Sequence, residues 1–249
     1  MAQKLKIDVV GLGGIGGWLI TPLAPFLNHE VKQKKYSTVD LTLIDGDKYE
    51  PKNKNLQGFT ELGNKADITA ERLSEANDEL MISARGEYVT RSNVARMFRE
   101  DTIIFLCVDN HNTRKLVVDH CKTLKNVILI SGGNDGVDPK SNLDGLSGNI
   151  QVYVRKDGKD LTLPIDNKFH PEIARPTDLN PGDTDHRHGC QVIVNTSPQI
   201  VFTNFMVADM MLRAFYAAIT SGVSYDEVYG NVTRNSSRVV NRREKKESN

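Results

Sequence analysis

The chain has 249 residues, a length that suits one large domain or two small ones at roughly 100–200 residues each. Its apolar fraction of 39% is that of a folded globular chain and excludes an intrinsically disordered one. Lysine plus arginine and aspartate plus glutamate both number 32, and this zero net charge speaks against a general nucleic-acid or membrane-surface binder, which would carry a basic excess.

Residues 6–10 form a short β-type run that meets Gly11-Leu12-Gly13-Gly14-Ile15-Gly16-Gly17, after which Trp18-Leu19-Ile20 reads as helix. Pro22 and Pro25 predict that this helix is short or kinked. A polar stretch over 29–38 leads to a clean alternation over 39–44, a second strand ending at Asp45-Gly46-Asp47. Residues 48–59 lack an apolar period and predict a long loop. Helical spacing returns over 65–77, at Ala66, Ile68, Thr69, Leu73 and Ala76. Weaker strand patterns follow at 80–84 and 87–89, then a short helix over 92–99 with Ser92 as its N-cap. The uninterrupted apolar run 102–108 predicts a central strand buried on both faces. Next come a helix over 113–124 and a strand over 126–130, closed by Ser131-Gly132-Gly133.

This alternation predicts a Rossmann-like α/β fold, a mostly parallel sheet with helices on both faces. The second half differs in kind. A strand over 149–155 precedes a loop-like stretch over 166–189, rich in Pro, Asp and His. A long apolar helix over 198–219 and two strands within 224–240 complete it, adding antiparallel strands in the C-terminal half. Residues 1–241 are expected to form one domain, and the charged tail 242–249 to be disordered. The N-terminus runs straight into a strand, unlike a secretory signal, and Asn204, Asp209 and Arg213 break the apolar stretch 200–219, so no membrane span is expected. The odd, sparse cysteines Cys107, Cys121 and Cys190 exclude a disulfide scaffold and point to a reducing, cytoplasmic compartment.

Four constellations carry chemistry. Gly11-x-Gly13-x-x-Gly16 lies between a strand and a helix, where glycines let backbone N–H groups approach phosphate oxygens. Asp45 ends the second strand, where a carboxylate can accept hydrogen bonds from a ribose. Asn53-Lys54-Asn55-Leu56-Gln57 and Gly63-Asn64-Lys65-Ala66 supply amides and ammonium groups that suit a triphosphate better than a dinucleotide. Lys65 opens a helix, where a cation opposes the dipole, and this calls for a compensating anion. Asp109-Asn110-x-x-Thr113-Arg114 follows the central strand, so Asp109 faces the ligand crevice and can serve Mg²⁺ directly or through water; the alternative is that Asp109 or Asn110 only caps the next helix.

In this order the four motifs resemble the ThiF/MoeB/HesA family, adenylyltransferases related to ubiquitin-activating enzymes. The resemblance covers residues 6–135 and resumes from Cys190 to Phe215, and it includes Asn53-x-x-x-Gln57 and Cys121. It implies that Gly11, Gly13, Gly14, Gly16, Asp45, Asn53, Gln57 and Lys65 bind ATP, that Lys65 and Asp109 are catalytic, and that Asp109 serves Mg²⁺. The implied substrate is the C-terminal glycine carboxylate of a small ubiquitin-fold or sulfur-carrier protein, activated as an acyl-adenylate with release of pyrophosphate.

Two departures matter. Leu56 stands where the family motif carries an arginine, and the paired Cys-x-x-Cys zinc motifs of many members are absent, so zinc is not expected. Cys190, beside His186, Arg187 and His188, is either an acyl acceptor or a small buried residue. Competing readings are a non-catalytic ATP-binding partner module, suggested by Leu56, and an NAD(P)-dependent oxidoreductase using the same glycine loop. The apolar residues Phe202, Phe205, Met206, Met210, Phe215 and Tyr216 exceed one face of a monomeric surface helix and predict a homodimer.

Overall fold

The computed structural model of the chain describes residues 3–49, 61–135, 137–138, 143–183 and 200–241. Its centre is one sheet in the order β13-β12-β10-β7-β6-β1-β2-β5, with β11 paired to β10. The strands are β1 (Gln3–Val10), β2 (Tyr36–Ile44), β5 (Met81–Arg85), β6 (Thr102–Leu106), β7 (Val127–Asn134), β10 (Ser147–Lys156), β11 (Lys159–Asp160), β12 (Glu227–Asn231) and β13 (Ser236–Val240). The pairs β2–β5, β1–β2, β1–β6 and β6–β7 are parallel, while β7–β10, β10–β12 and β12–β13 are antiparallel. This is the expected Rossmann-like fold with antiparallel strands added in the C-terminal half. Two-residue pairs lie outside the sheet: β3 (Lys48–Tyr49) with β4 (Gly63–Asn64), and β8 (Val137–Asp138) with β9 (Leu143–Asp144).

Helices cover both faces. On one, α1 (Gly14–Lys32), α2 (Lys65–Ala76) and α6 (Val201–Thr220) close a core around Ile7, Val9, Leu41, Leu43, Phe105 and Phe215. On the other, α3 (Val94–Met97), α4 (His111–Cys121) and α5 (Pro171–Ala174) pack Phe98, Val117 and Ile173 against Ile104, Leu106 and Tyr153. The β6 segment is buried at every residue, as its unbroken apolar run demands.

Several local expectations are corrected. Helix α1 runs for 19 residues with Pro22 and Pro25 inside it. Both prolines are exposed, so the carbonyls they leave unbonded face water, while Leu19, Leu23 and Leu27 hold the opposite face in the core. Ser92 does not cap a helix: Asn93 precedes α3, and residues 87–89 form no strand. The Asn93 amide instead folds the preceding turn, accepting from Thr90 N at 2.7 Å and donating to Tyr88 O at 2.8 Å. Strand β7 does not end at Ser131 but continues through Gly132 and Gly133 to Asn134. The loop expected over 48–59 begins as β3, and 166–183 contains α5 and a 3₁₀ turn at Pro181–Asp183.

Candidate functional site

The chain passes from β1 outward to β2 and β5, then returns to the other side of β1 to lay down β6 and β7. The strand order therefore reverses between β1 and β6, and an α/β sheet opens a crevice at the carboxyl ends of such a pair. The glycine turn leaves β1 there, and Asp109 follows β6.

The glycine turn is fixed by its neighbours. Gly11 takes φ +85°, and a Cβ on it would lie 2.9 Å from the Cys107 carbonyl oxygen. At Gly16 a Cβ would come within 1.9 Å of the Gly11 carbonyl oxygen, so only glycine lets α1 sit this close to the turn. Gly11 N donates to Ile44 O at 2.9 Å, and Leu12 N to Asp45 Oδ2 at 2.6 Å. Gly13 is the exception: nothing lies within 4 Å of a Cβ built there, so it borders open space. It is also the N-cap of α1, with no side-chain cap and no acidic residue in the first turn. The first N–H groups of this long helix thus lie beside open space, an arrangement suited to an anion.

Asp45 is buried, and both of its carboxylate oxygens are engaged. One oxygen takes the Leu12 N–H and the other takes Asp47 N at 2.8 Å. Burial pushes its pKa up, opposed by the Lys65 ammonium and by those two N–H donors. Asn64 caps α2, accepting from Ala66 N at 2.8 Å, while its Nδ2 donates to Asp45 O at 2.9 Å. The β3–β4 pair and this amide bring the start of α2 beside the end of β2. Lys65 is buried there, its Nζ 3.1 Å from Asp47 Oδ2. The anion that its helix-opening position demands is, in this structure, Asp47.

Asp109 is exposed and enters no hydrogen bond or ion pair with the described residues. The cap of α4 is Asn110, whose Oδ1 accepts from Thr113 N at 2.8 Å. Asp178 adds a second cap, accepting from His111 N at 2.5 Å and Asn112 N at 3.0 Å. Asp109 is therefore free of the capping role, and its chemistry suits a cation. Among the described residues no group of three or more His, Cys, Asp or Glu side chains converges as a metal cage. A single carboxylate beside phosphates is the usual protein share of an Mg²⁺ site. Arg114 is buried, and one guanidinium nitrogen donates to both Val108 O and Gly132 O at 2.8 Å, tying β6 to β7 below the crevice.

The glycine turn, Asp45, Lys65 and Asp109 are thus brought to one crevice. Asn53, Leu56, Gln57 and Cys190 lie outside the described residues. Cys121 is buried and Cys107 largely so, and burial pushes both thiols up to about 12, far from reactive thiolates. Tyr88 was invisible to sequence reasoning, which placed it in a weak strand. Its ring lies over Gly46, where a Cβ would be 2.5 Å from the ring carbon, and its hydroxyl donates to Asp47. Asn64 carried a readable signal, an amide just before a helix. Asp178 carried none.

The chain is similar to several known proteins. The tRNA threonylcarbamoyladenosine dehydratase of Haemophilus influenzae is 27% identical over 170 residues, 62% of this chain and 61% of that protein. The Escherichia coli protein of the same name is 28% identical over 139 residues, 53% of this chain and 48% of that protein. The chain thus spans about half to three fifths of the length of these relatives. The crystal structure of E. coli MccB with ATP superposes over 95% of this chain and 63% of its own with a TM-score of 0.67 at 17% identity, a likeness of fold. No helix among the described residues is long and apolar enough to cross a membrane. The match to the ThiF family extends over residues 2–247, and with the glycine turn, the Asp45 latch and the β1/β6 crevice it establishes that this chain belongs to the ThiF family.

Proposed function

We propose that this chain is an ATP-dependent adenylyltransferase acting on a carboxylate, in particular the C-terminal carboxylate of a small ubiquitin-fold carrier protein. The observation that carries this reading is the uncapped N-terminus of α1 opening at Gly13 onto the same crevice as Lys65 and Asp109. Phosphate oxygens of ATP accept from the first N–H groups of α1, held in place by Gly11, Gly14, Gly16 and the Asp45–Leu12 hydrogen bond. Lys65 offsets phosphate charge. Asn53 and Gln57 join the nucleotide site in this reading, and Cys190 is the proposed acyl acceptor. Asp109 would hold Mg²⁺, which when bound supplies charge neutralisation for the pyrophosphate leaving group.

The substrate carboxylate is ionised at neutral pH, so no general base is needed. Its oxygen forms a bond to the α-phosphorus as the bond from that phosphorus to the bridging oxygen breaks, and pyrophosphate departs with the electron pair. The chain's part is positioning and charge stabilisation. Leu56 removes a bidentate cation from this scheme, which Lys52 and Lys54 replace only as point charges.

The test is ATP–pyrophosphate exchange with glycine-terminated carriers, beside calorimetry with ATP and NADH. Tight NADH binding without ATP binding would sink the reading. The similarity to the tRNA threonylcarbamoyladenosine dehydratases favours a second one, in which the activated carboxylate is that of a threonylcarbamoyl group on a tRNA adenosine. Exchange dependent on such a tRNA and not on any carrier would select it, although the zero net charge argues for a protein substrate. A homodimer through α6 belongs to the same proposal.

A further inference from the structure

Lys65 and Asp47 form an ion pair whose two members differ sharply in their surroundings. The Lys65 side chain is 7% exposed and Asp47 is 52% exposed, with 3.1 Å between Nζ and Oδ2. A buried ammonium cannot give up its ion-pair partner cheaply without replacing it, even with the Asp45 carboxylate also acting on it. A half-exposed carboxylate can turn into water at little expense. The lysine is therefore fixed and the aspartate is exchangeable. Lys65 is held further by its backbone, whose N–H donates to Asp47 O at 2.9 Å at the start of α2.

Tyr88 sets where the Asp47 carboxylate points. Its hydroxyl donates to Asp47 Oδ1, leaving Oδ2 for the lysine. The ring lies over Gly46, whose missing side chain makes room for it, and Gly182 backs the base of the side chain, where a Cβ would come within 3.0 Å of Tyr88 Cβ. Burial, together with the hydrogen bond and charge of Asp47, raises the pKa of the phenol, so it stays a donor at any working pH.

We propose that Asp47, aimed by Tyr88, is an exchangeable counter-ion that holds the Lys65 ammonium, and that a polyphosphate on binding takes Lys65 over as Asp47 swings out. The inference deepens the nucleotide reading and rests on it, with Tyr88 as a positioning residue. Asp47 here competes with the ligand for Lys65. Removing its charge should therefore tighten nucleotide binding, whereas losing a residue that touches ATP or Mg²⁺, or one that only holds the fold, weakens it.

The experiment is titration calorimetry of the full chain with ATP and separately with inorganic tripolyphosphate, for wild type, Asp47→Asn, Tyr88→Phe and the double variant. Asp47→Asn should bind both about three- to fivefold more tightly, the range open to one half-exposed ion pair. Its melting temperature without ligand should fall, because the buried Lys65 loses its ion-pair partner. Tyr88→Phe, which keeps the ring packing, should tighten binding by a smaller factor, and adding it to Asp47→Asn should change nothing more. Unchanged or weaker binding by Asp47→Asn would overturn the exchange. Should that variant not fold, Tyr88→Phe alone decides, and weaker or equal binding counts against it. Tighter tripolyphosphate binding by the variants with no ATP binding by any of them would retain the exchange and discard the adenylation reading. Absence of binding to either ligand would discard both.

Discussion

Asp109 is the carboxylate whose loss separates chemistry from fold. Asn110 and Asp178 already cap α4, so Asp109→Asn should melt as the wild type does. It should keep part of its ATP affinity and lose about 10²–10³ in ATP–pyrophosphate exchange, the usual size of one lost charge-stabilising group. Wild-type exchange in that variant would reduce Asp109 to a bystander. The glycines of the turn separate in the same way. Gly16→Ala drives a Cβ to 1.9 Å from the backbone of Gly11, which cannot yield, and should cost about 3 kcal/mol in chemical denaturation. Gly13→Ala meets nothing, so its loss should stay near the roughly 1 kcal/mol of a poor N-cap, while ATP binding weakens because the methyl group stands over the helix N–H groups. The sequence pattern named both glycines but could not rank them, because the difference lies in what faces each one. Asp8, buried in β1, is a residue that no motif marked. Burial raises its pKa from 3.8 to about 7, against a hydrogen bond to Thr42. The unfolded chain releases this proton first, so stability falls as pH rises from about 4 to about 7 and is then flat. The gain in melting temperature from Asp8→Asn should therefore grow across that interval and level off above it. A gain independent of pH would show that Asp8 does not titrate there.

The elements owe their positions to a few close approaches. Helix α6 lies over Gly132, Gly148 and Gly230, one glycine from each of β7, β10 and β12. Gly148 pairs with Gly230 across the ladder, and Ile150 pairs with Gly132, so the three form a side-chain-free strip on one face. A Cβ at Gly148 would lie 2.5 Å from Val207 and 2.9 Å from the Gly133 carbonyl oxygen, whereas one at Gly230 would meet only the flexible end of Met206 and Met210 near 3 Å. Gly148→Ala should accordingly destabilise by about 2–3 kcal/mol and Gly230→Ala by less than about 1 kcal/mol. Equal losses would mean that the strip is not what seats α6. Reading Gly132-Gly133 as the close of a strand was the natural inference from glycine in a strand pattern, and it failed because a helix, present only in the folded chain, needs that bare surface. The prolines of α1 misled for a related reason. Their exposure is a property of the packed helix, and from the sequence they were only breakers.

At the scale of the whole molecule, α6 divides the dimer question. Val207, Met210, Met211, Ala214 and Phe215 are buried in the chain's own core, and two of them, Met210 and Phe215, belong to the apolar excess read from the sequence. Three rings of that excess stay outside: Phe202 is 72% exposed, and Phe205, stacked edge-on against Trp18, and Tyr216 are each 55% exposed. A groove of about 520 Å³ between α1 and α6, lined by Pro22, Phe26, Leu212 and Tyr216, continues this surface. Light scattering should find a dimer at micromolar concentration and a monomer for Phe202→Glu with unchanged circular dichroism; a monomeric wild type would dismiss the interface. The main strands and helices in their order, the glycine turn, Asp45 at a strand end and the family those motifs spell are all legible along the chain. These follow from local periodicity and from residue types whose backbone or charge is special wherever they stand. The Asp45 latch on Leu12, the pairing of Lys65 with Asp47 under Tyr88, the capping by Asp178 that frees Asp109, and the face of α6 that stays exposed emerge only on folding. Each joins residues from separate elements, and a single chain carries no local mark of the neighbour that folding will bring.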